Sequence, residues 1–188
     1  MSYHLYQTEG LILSGRNVGE AGRYLSLFTK ELGLVNAMVL GARKLESKLR
    51  YHLENYTLGN FNLVRGREIW RLVGAEKIAC LKDPITARIS LLLRRLIAGE
   101  EKDAGLFQDV RQACLFLDQS SHTRDVRDGL EIILVLRILD RLGYLKKESK
   151  LLPFIQFEDW ESFEIAIPPL LKGELTNYIN QALKATQL

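Results

Sequence analysis

The sequence predicts an α+β protein in which a small β-barrel is followed by an all-α domain. Two observations support this fold class. Residues 1–80 alternate apolar and polar side chains with the period of β-strands, and glycine-containing turns divide them. After Cys80 the apolar residues recur every three or four positions, as they do in helices. We therefore predict one domain over residues 1–80 and a helical domain over residues 81–188.

Five strands are predicted in the first domain. Their ranges are 3–14, 23–29, 34–40, 57–64 and 68–78. In RYLSLFT, for example, Leu25 and Leu27 face one side and the residues between them face the other. The segment NVGEAG supplies the loop after the first strand, and Arg65-Gly66-Arg67 is the predicted turn of the last hairpin.

The third and fourth strands are predicted to be separated by a short helix. Leu45, Leu49 and Leu53 recur every fourth residue, which favours a helix over residues 46–54. Five strands with one helix at this place is the element order of an OB-fold, a Greek-key barrel that binds oligonucleotides or oligosaccharides. The periodicity alone also fits another small barrel.

The second domain is predicted to consist of helices. Asp83 is a suitable N-cap before Pro84, and an apolar stripe then continues to residue 97. Further helices are predicted over residues 106–117 and 124–142, and a last one starts at Pro168-Pro169. The aromatic-rich segment 151–167 is expected to be a small β-like or irregular element.

Composition bounds the class of protein. Hydrophobic residues make up 47% of the 188, so the chain can bury a core. The net charge is only +3, but residues 1–80 contain 11 Lys and Arg against 7 Asp and Glu, which indicates a polyanionic partner for this half. Cys80 and Cys114 have no metal-ligand spacing and are expected to be buried apolar groups. Without a leader or a membrane-spanning stretch, we expect a soluble cytoplasmic protein.

Longer stretches resemble a known family. TEGLILSGRNVGEAGRYLSLFTKELGLVNAMVLGARK is similar to the N-terminal signature of RecO, a bacterial recombination mediator, in its T-E-G opening, G-E-x-x-R step, L-F-T-x-E-x-G-L turn and G-A-R-K exit. YTLGNFNLVRGREIWRLVGAE continues the resemblance, as do LLLRRLIAGEEKDAGLFQDV and VLRILDRLGYL. In all, the resemblance covers about 145 residues of the chain.

The resemblance implies an OB-fold and a helical domain without enzymatic activity. Family members bind single- and double-stranded DNA, anneal complementary strands, and act with RecR and the single-strand-binding protein to load RecA. A bacterial, nucleoid-associated location is implied too. Many members have a four-cysteine zinc module after the position of residue 145, whereas GYLKKESKLLPFIQFEDW contains no cysteine. We therefore expect a shortened form with no zinc, other metal or cofactor.

The predicted DNA-binding surface consists of cations near the loops of the barrel. The stretch LGARKLESKLR (residues 40–50) contributes four of them, with Lys44 and Lys48 on one helical face, and Arg16 is placed in the first loop. Arg23 has an alternative role as a structural partner of Glu20. The candidate residues are Arg16, Arg23, Tyr24, Arg43, Lys44, Lys48, Arg50, Arg65, Arg67 and Arg71.

Aromatic residues can add base stacking to this surface. The candidates are Tyr24, Phe28, Tyr51, Phe61 and Trp70, of which Phe61 and Trp70 are expected in the core and Tyr24 is preferred for stacking. In the helical domain, Arg94 and Arg95 beside a leucine stripe are candidates for holding an acidic, Phe-containing peptide, the tail of the single-strand-binding protein. Glu100 and Glu101 are expected to be solvated.

Catalysis has little support in the sequence. His4, His52 and His122 are scattered and have no nucleophile, phosphate loop or metal-spaced cluster beside them. Two alternatives to a DNA-binding mediator remain open at this point. One is an OB-fold protein that binds RNA or assists translation, and the other is an interaction adaptor that binds no nucleic acid.

Overall fold

The computed structural model of the protein describes residues 4–119, 122–146, 148–157, 160 and 167–186. The chain forms two compact units, residues 1–107 and residues 108–188. The first contains all five strands and the first helix. The second contains the remaining helices, except that the second helix begins just before it.

The first unit is a closed barrel of five strands. The strands are β1 (Leu5–Val18), β2 (Gly22–Thr29), β3 (Gly33–Val39), β4 (Thr57–Arg65) and β5 (Trp70–Cys80). Their order around the barrel is β1-β2-β3-β5-β4, and β4 pairs again with β1. All pairs are antiparallel except a short parallel contact of β3 with β5. The prediction of an OB-fold barrel followed by helices is confirmed.

Alternation along the strands places one set of side chains inside the barrel. Leu25 and Leu27 of β2 lie in the core, as predicted, together with Phe61 and Trp70. The other strand residues that complete this core are Ile12, Val35, Ala37, Val39, Leu63 and Leu72. A bulge in β1 between Ile12 and Ser14 shifts the pairing with β2. Because side chains at odd and even positions face opposite sides, the residues between these core positions form the outer face of the barrel, part of which is itself buried, as at Leu11 and Phe28.

The prediction of a helix over residues 46–54 is wrong in both the type of helix and its length. A 3-10 helix covers only Lys48–His52. Leu53 is buried in the barrel core and Leu49 packs against it, whereas Leu45 is 83% exposed and makes no apolar stripe with them. The helix begins at Lys48, so Lys44 and Lys48 do not share a helical face.

The strands end at Cys80, close to the predicted change to helix. Helix α1 (Pro84–Leu96) begins with Asp83 as its N-cap, whose carboxylate accepts a hydrogen bond from Ile85 N at 2.8 Å. This helix contacts β1, so the first compact unit extends beyond the strands to residue 107. The division of the chain at residues 80/81 into separate domains stays a prediction.

The second unit is built from helices with buried apolar faces. They are α2 (Ala104–Asp118), α3 (Arg124–Arg141), the four-residue α4 (Leu152–Ile155) and α5 (Pro169–Ala185). Helix α3 contacts both α4 and α5, and most of its apolar side chains are buried, which fits a central helix. The β-like element predicted over residues 151–167 is replaced at its start by α4, and residues 158–159 and 161–166 lie outside the described residues.

Candidate nucleic-acid interface

A row of four side chains crosses the outer face of the barrel from β1 to β5. Arg16 on β1 pairs with Tyr24 on β2, Tyr24 pairs with Met38 on β3, and Met38 pairs with Arg71 on β5. Paired residues have their side chains on the same face of a sheet. Because the sequence neighbours Leu25, Ala37 and Leu72 lie in the core, the row faces outward.

The row has an arginine at each end and an aromatic ring and a thioether, Tyr24 and Met38, in the middle. The guanidinium of Arg16 lies 4.9 Å from the centre of the Tyr24 ring, a cation–π contact. Tyr24 and Met38 are half-buried, while Arg16 and Arg71 are exposed. In the described part of the chain neither arginine forms an ion pair with a carboxylate. We name this set, Arg16, Tyr24, Met38 and Arg71, the cationic row.

Two of these positions differ from the sequence-based expectation. Arg16 was expected in the first loop, but β1 continues to Val18 and Arg16 is a strand residue. Met38 was not among the candidates, although alternation in LVNAMVL places it on the outer side with Asn36. β1 continues because Gly15 to Val18, which resemble a loop in the sequence, still pair with β2 after the bulge between Ile12 and Ser14.

Arg43 is bound to the loop between β1 and β2. Its Nη2 donates to the carbonyl oxygen of Gly19 at 2.7 Å and also to that of Glu20, and its backbone N–H donates to Ala21 O at 3.0 Å. Arg43 therefore joins the G-A-R-K exit of β3 to this loop, a structural task that the sequence did not predict. The residue is exposed, and the next residue, Lys44, is an exposed cation in the same turn.

The other two cations of the stretch 40–50 lie on the 3-10 helix. Lys48 is exposed. Arg50 donates to the hydroxyl oxygen of Tyr51 at 2.8 Å, and its guanidinium lies 4.9 Å from the centre of that ring. Tyr51 is 62% exposed and thus available for stacking, in contrast to the predicted candidate Phe28, which is buried.

Arg65 and Arg67 differ in their surroundings. Arg65 is the last residue of β4 rather than part of the turn, and its Nη1 lies 3.5 Å from a carboxylate oxygen of Glu100. Arg67 lies in the turn itself and is exposed. Glu100 is exposed, as expected, and its carboxylate also accepts a hydrogen bond from Trp70 Nε1 at 2.8 Å, which the sequence did not predict.

Arg23 is engaged within the fold. Its Nη2 donates to Asn55 Oδ1 at 3.1 Å, and its guanidinium lies so close to Gly15 that a side chain there would collide with it. Burial lowers the pKa of the Arg23 guanidinium, and the nearby Glu54 carboxylate acts in the opposite direction. These contacts favour the alternative, structural role of Arg23, with Asn55 and Glu54 as its neighbours instead of the expected Glu20.

The opposite side of the barrel has a different chemistry. Outward-facing Glu9 of β1 pairs with Asn60 of β4, which pairs with Glu76 of β5. These residues line a groove of about 610 Å³ together with Gln7 and Asn62. Two carboxylates and several amides on this side contrast with the two arginines of the cationic row.

Two predicted peptide-binding arginines lie on α1. Arg94 and Arg95 are exposed in its last turn. Leu91, three and four residues before them, is 64% exposed, so an apolar side chain and two cations share one helical surface.

The described residues also limit other site types. No three His, Cys, Asp or Glu side chains among them lie together as metal ligands. Cys114 is buried as expected, whereas Cys80 is only partly buried, and burial together with Glu54 raises the pKa of its thiol. In the same residues, no helix is both long and apolar enough to cross a bilayer.

Comparison with known proteins identifies the barrel. The family model described as "Recombination protein O N terminal" matches residues 1–81. Residues 1–81 of the chain belong to the RecO family. The match covers the five strands, so the family relationship and the barrel agree over the same residues.

Individual relatives extend this relationship. The chain is similar to a DNA repair protein RecO of Gloeothece citriformis, with 41% identity over 39% of this chain and 26% of the relative. A RecO of Heliobacterium modesticaldum is 30% identical over 77% of this chain and 54% of its own length, and one of a Synechococcus strain is 39% identical over 53% and 36%. The chain therefore spans about half the length, or less, of the RecO proteins it matches.

Proposed function

We propose that this RecO-family chain binds nucleic acid strands in recombinational DNA repair and promotes their annealing without catalysing a chemical step. The observation that supports this best is the cationic row, in which two exposed arginines flank Tyr24 and Met38 across four strands. An outer face over β2 and β3 is the usual oligonucleotide surface of an OB-fold. The names of the relatives, DNA repair proteins, favour DNA as the ligand.

The mechanism follows from charge and stacking. Arg16 and Arg71 neutralise phosphates of a single strand and release their counterions, which gives affinity without sequence preference. The Tyr24 ring offers a base a stacking surface in place of, or beside, the Arg16 guanidinium. Lys44 and Lys48, with Arg67, extend the positive surface for a second strand or a duplex. Two strands held near one another with neutralised phosphates pair faster.

Partner proteins are proposed from the family relationship. The surface of Leu91, Arg94 and Arg95 fits an acidic peptide with an apolar residue, and we propose that it holds the C-terminal tail of the single-strand-binding protein. RecR and, indirectly, RecA are the other proposed partners. Action in the bacterial cytoplasm on the nucleoid, with no metal or cofactor, completes the proposal.

Annealing of complementary oligonucleotides tests the function. We expect the chain to speed annealing, and we expect Arg71→Glu to reduce that acceleration by about tenfold because it reverses a charge in the row. Lys77→Glu is the matched control, since it makes the same change at an exposed position of the same strand and should remain close to wild type. Equal loss in both variants would contradict a localised binding face.

Matched DNA and RNA oligonucleotides separate the alternatives. In fluorescence anisotropy with a labelled single strand of about 30 nucleotides, we expect salt-sensitive binding with DNA bound at least as tightly as RNA. Preference for RNA would favour the RNA-binding alternative. Absence of salt-sensitive binding to either would favour the adaptor.

A further inference from the structure

At the end of the barrel, Trp70 and Arg65 together bind the carboxylate of Glu100. Glu100 lies in the segment between α1 and α2, and one of its oxygens accepts a hydrogen bond from Trp70 Nε1 at 2.8 Å. Its other oxygen lies 3.5 Å from Arg65 Nη1. An indole N–H and a guanidinium are both donors to phosphate as well as to carboxylate oxygens.

The two donors are held in position by the barrel. Trp70 is 4% exposed and its ring belongs to the core, so its N–H has little freedom to turn away from Glu100. Arg65 is the cross-strand partner of Trp70, and its guanidinium lies 5.3 Å from the centre of the indole ring. The pair of donors therefore exists independently of the Glu100 side chain.

The backbone around Glu100 is fixed to the barrel. Leu34 N donates to Gly99 O at 3.2 Å, and Lys102 forms an ion pair with Glu31. Gly33 has a φ of +70° and lies against the backbone of Glu101, where a Cβ would come within 2.3 Å of the Glu101 carbonyl oxygen. These contacts hold the segment against the barrel, while the Glu100 side chain is 41% exposed and can leave its donors by a rotation of its own bonds.

This anion position lies next to the cationic row. Arg65 and Trp70 form one residue pair of the β4–β5 ladder, and Val64 and Arg71 form the next. One step along a strand is about 3.3 Å, but neighbouring residues of a strand face opposite sides. Arg71 faces outward, whereas Arg65 is the last residue of β4 and its side chain, 65% exposed, lies at the end of the barrel. A nucleic acid strand that contacts Arg71 and continues over this end of the barrel therefore brings a neighbouring phosphate near Arg65.

We propose that Arg65 and Trp70 Nε1 form a phosphate-binding subsite, and that Glu100 is an internal competitor for it. This inference rests on the proposed function of the cationic row. A bound strand gains the subsite only when its phosphate displaces the Glu100 carboxylate. Glu100 thus weakens binding at this end of the interface and favours release of the strand.

Removing the charge of Glu100 tests the competition. Glu100→Gln keeps an oxygen that accepts the Trp70 hydrogen bond but no longer neutralises Arg65. We expect single-stranded DNA to bind about two- to fivefold more tightly, the range of an exposed ion pair. The slope of log affinity against log salt should also become steeper by about 0.7, the value for one more phosphate.

The matched control is the adjacent carboxylate. Glu101→Gln removes the same charge from the same segment, so an effect of net charge alone would tighten binding equally in both variants. In an Arg65→Ala background, Glu100→Gln should give no gain, because the cation it exposes is absent. A gain that is equal in Glu101→Gln, or one that persists without Arg65, would overturn the proposal, as would no gain in Glu100→Gln.

A second readout does not depend on DNA. With Trp160→Phe, Trp70 is the only tryptophan, and its fluorescence can be followed during titration with inorganic pyrophosphate. We expect Glu100→Gln to show a saturable change at lower pyrophosphate concentrations than wild type, and Arg65→Ala/Glu100→Gln to show none. If the chain binds no DNA but shows this pattern, the proposed function fails and the subsite stands. Identical titrations in all three proteins would reject the subsite.

Discussion

Arginines of the barrel and of the helical unit are used in opposite ways. In the helical unit, Arg137 is 8% exposed, its Nη2 lies 2.6 Å from Asp109 Oδ1, and its Nη1 donates to Phe157 O at 2.8 Å. Its guanidinium also lies 4.4 Å from the centre of the Phe157 ring. In the barrel, Arg16 and Arg71 are exposed, and among the described residues neither forms an ion pair with a carboxylate.

This difference in burial indicates which arginines stabilise the fold and which are free to bind a ligand. A buried guanidinium must have its charge and its donors satisfied, so the fold depends on it. An exposed one contributes little to folding and keeps its donors for a ligand. Arg43 is intermediate, since it is exposed but holds the carbonyls of the β1–β2 loop. Four sets of variants sharpen this comparison.

The largest effect is expected at Arg137. Arg137→Ala leaves the buried Asp109 carboxylate with only Arg141, so the free energy of unfolding should fall by about 3–5 kcal/mol. Urea unfolding followed by circular dichroism measures this. Arg141→Ala removes a partner of the same carboxylate that is 37% exposed, and it should cost clearly less. Similar losses in the two variants would contradict the distinction by burial.

The next effect is expected at Tyr24. Tyr24→Ala removes the ring on which a base stacks, which should weaken single-stranded DNA binding by about 1–3 kcal/mol. Tyr24→Phe keeps the ring and should bind like wild type in the same anisotropy titration. If Tyr24→Phe is as weak as Tyr24→Ala, the hydroxyl rather than stacking is responsible.

Variants of Arg43 and Lys44 are expected to distinguish a cation that stabilises the fold from one that only binds DNA. Arg43→Ala loses the hydrogen bonds to Gly19 and Glu20 and should lower the free energy of unfolding by about 1 kcal/mol, along with DNA affinity. Lys44→Ala should lower affinity by a few-fold without a change in stability. Thermal unfolding and DNA titration of both variants measure this, and an unstable Lys44→Ala would show a structural role for that lysine.

The smallest effect is expected on the opposite side of the barrel. Glu9→Gln/Glu76→Gln removes two negative charges there, and at physiological salt it should change DNA affinity by less than about twofold, because exposed charges beyond about 8 Å are largely screened. A larger gain would mean that bound DNA reaches this side. The test is the same titration at matched salt.

Local patterns predicted the strands and helices better than the site. Alternation in RYLSLFT placed Leu25 and Leu27 correctly, and the Asp83-Pro84 pair marked the start of α1. The leucine spacing at residues 45–53 misled, because Leu45 is exposed and only Leu49 and Leu53 serve the core. A four-residue spacing of leucines does not show whether each of them has a core surface to pack against.

The geometry of the candidate site depends on contacts between residues far apart in the sequence, which local patterns do not predict. The Trp70 to Glu100 hydrogen bond joins residues 30 positions apart, and the Arg43 to Gly19 bond joins residues 24 apart. The sequence predicts all of these cations as candidates alike, and it does not separate those with partners inside the fold, Arg23, Arg43 and Arg65, from Arg16 and Arg71. Strand register separates Arg23 and Arg65, which follow the core-facing alternation of β2 and β4, from the outward-facing Arg16 and Arg71. Arg43 lies outside the strands, and its partners are set by the loop hydrogen bonds.

The most direct test of the account is the salt dependence of single-stranded DNA binding in two double variants. Arg16→Ala/Arg71→Ala removes both ends of the cationic row, and Arg94→Ala/Arg95→Ala removes the same charge from two exposed positions on α1. We expect the first to lose about tenfold in affinity and to reduce the magnitude of the salt slope by about 1.4, and the second to stay near wild type. Equal slopes and affinities in the two variants would contradict binding at the row.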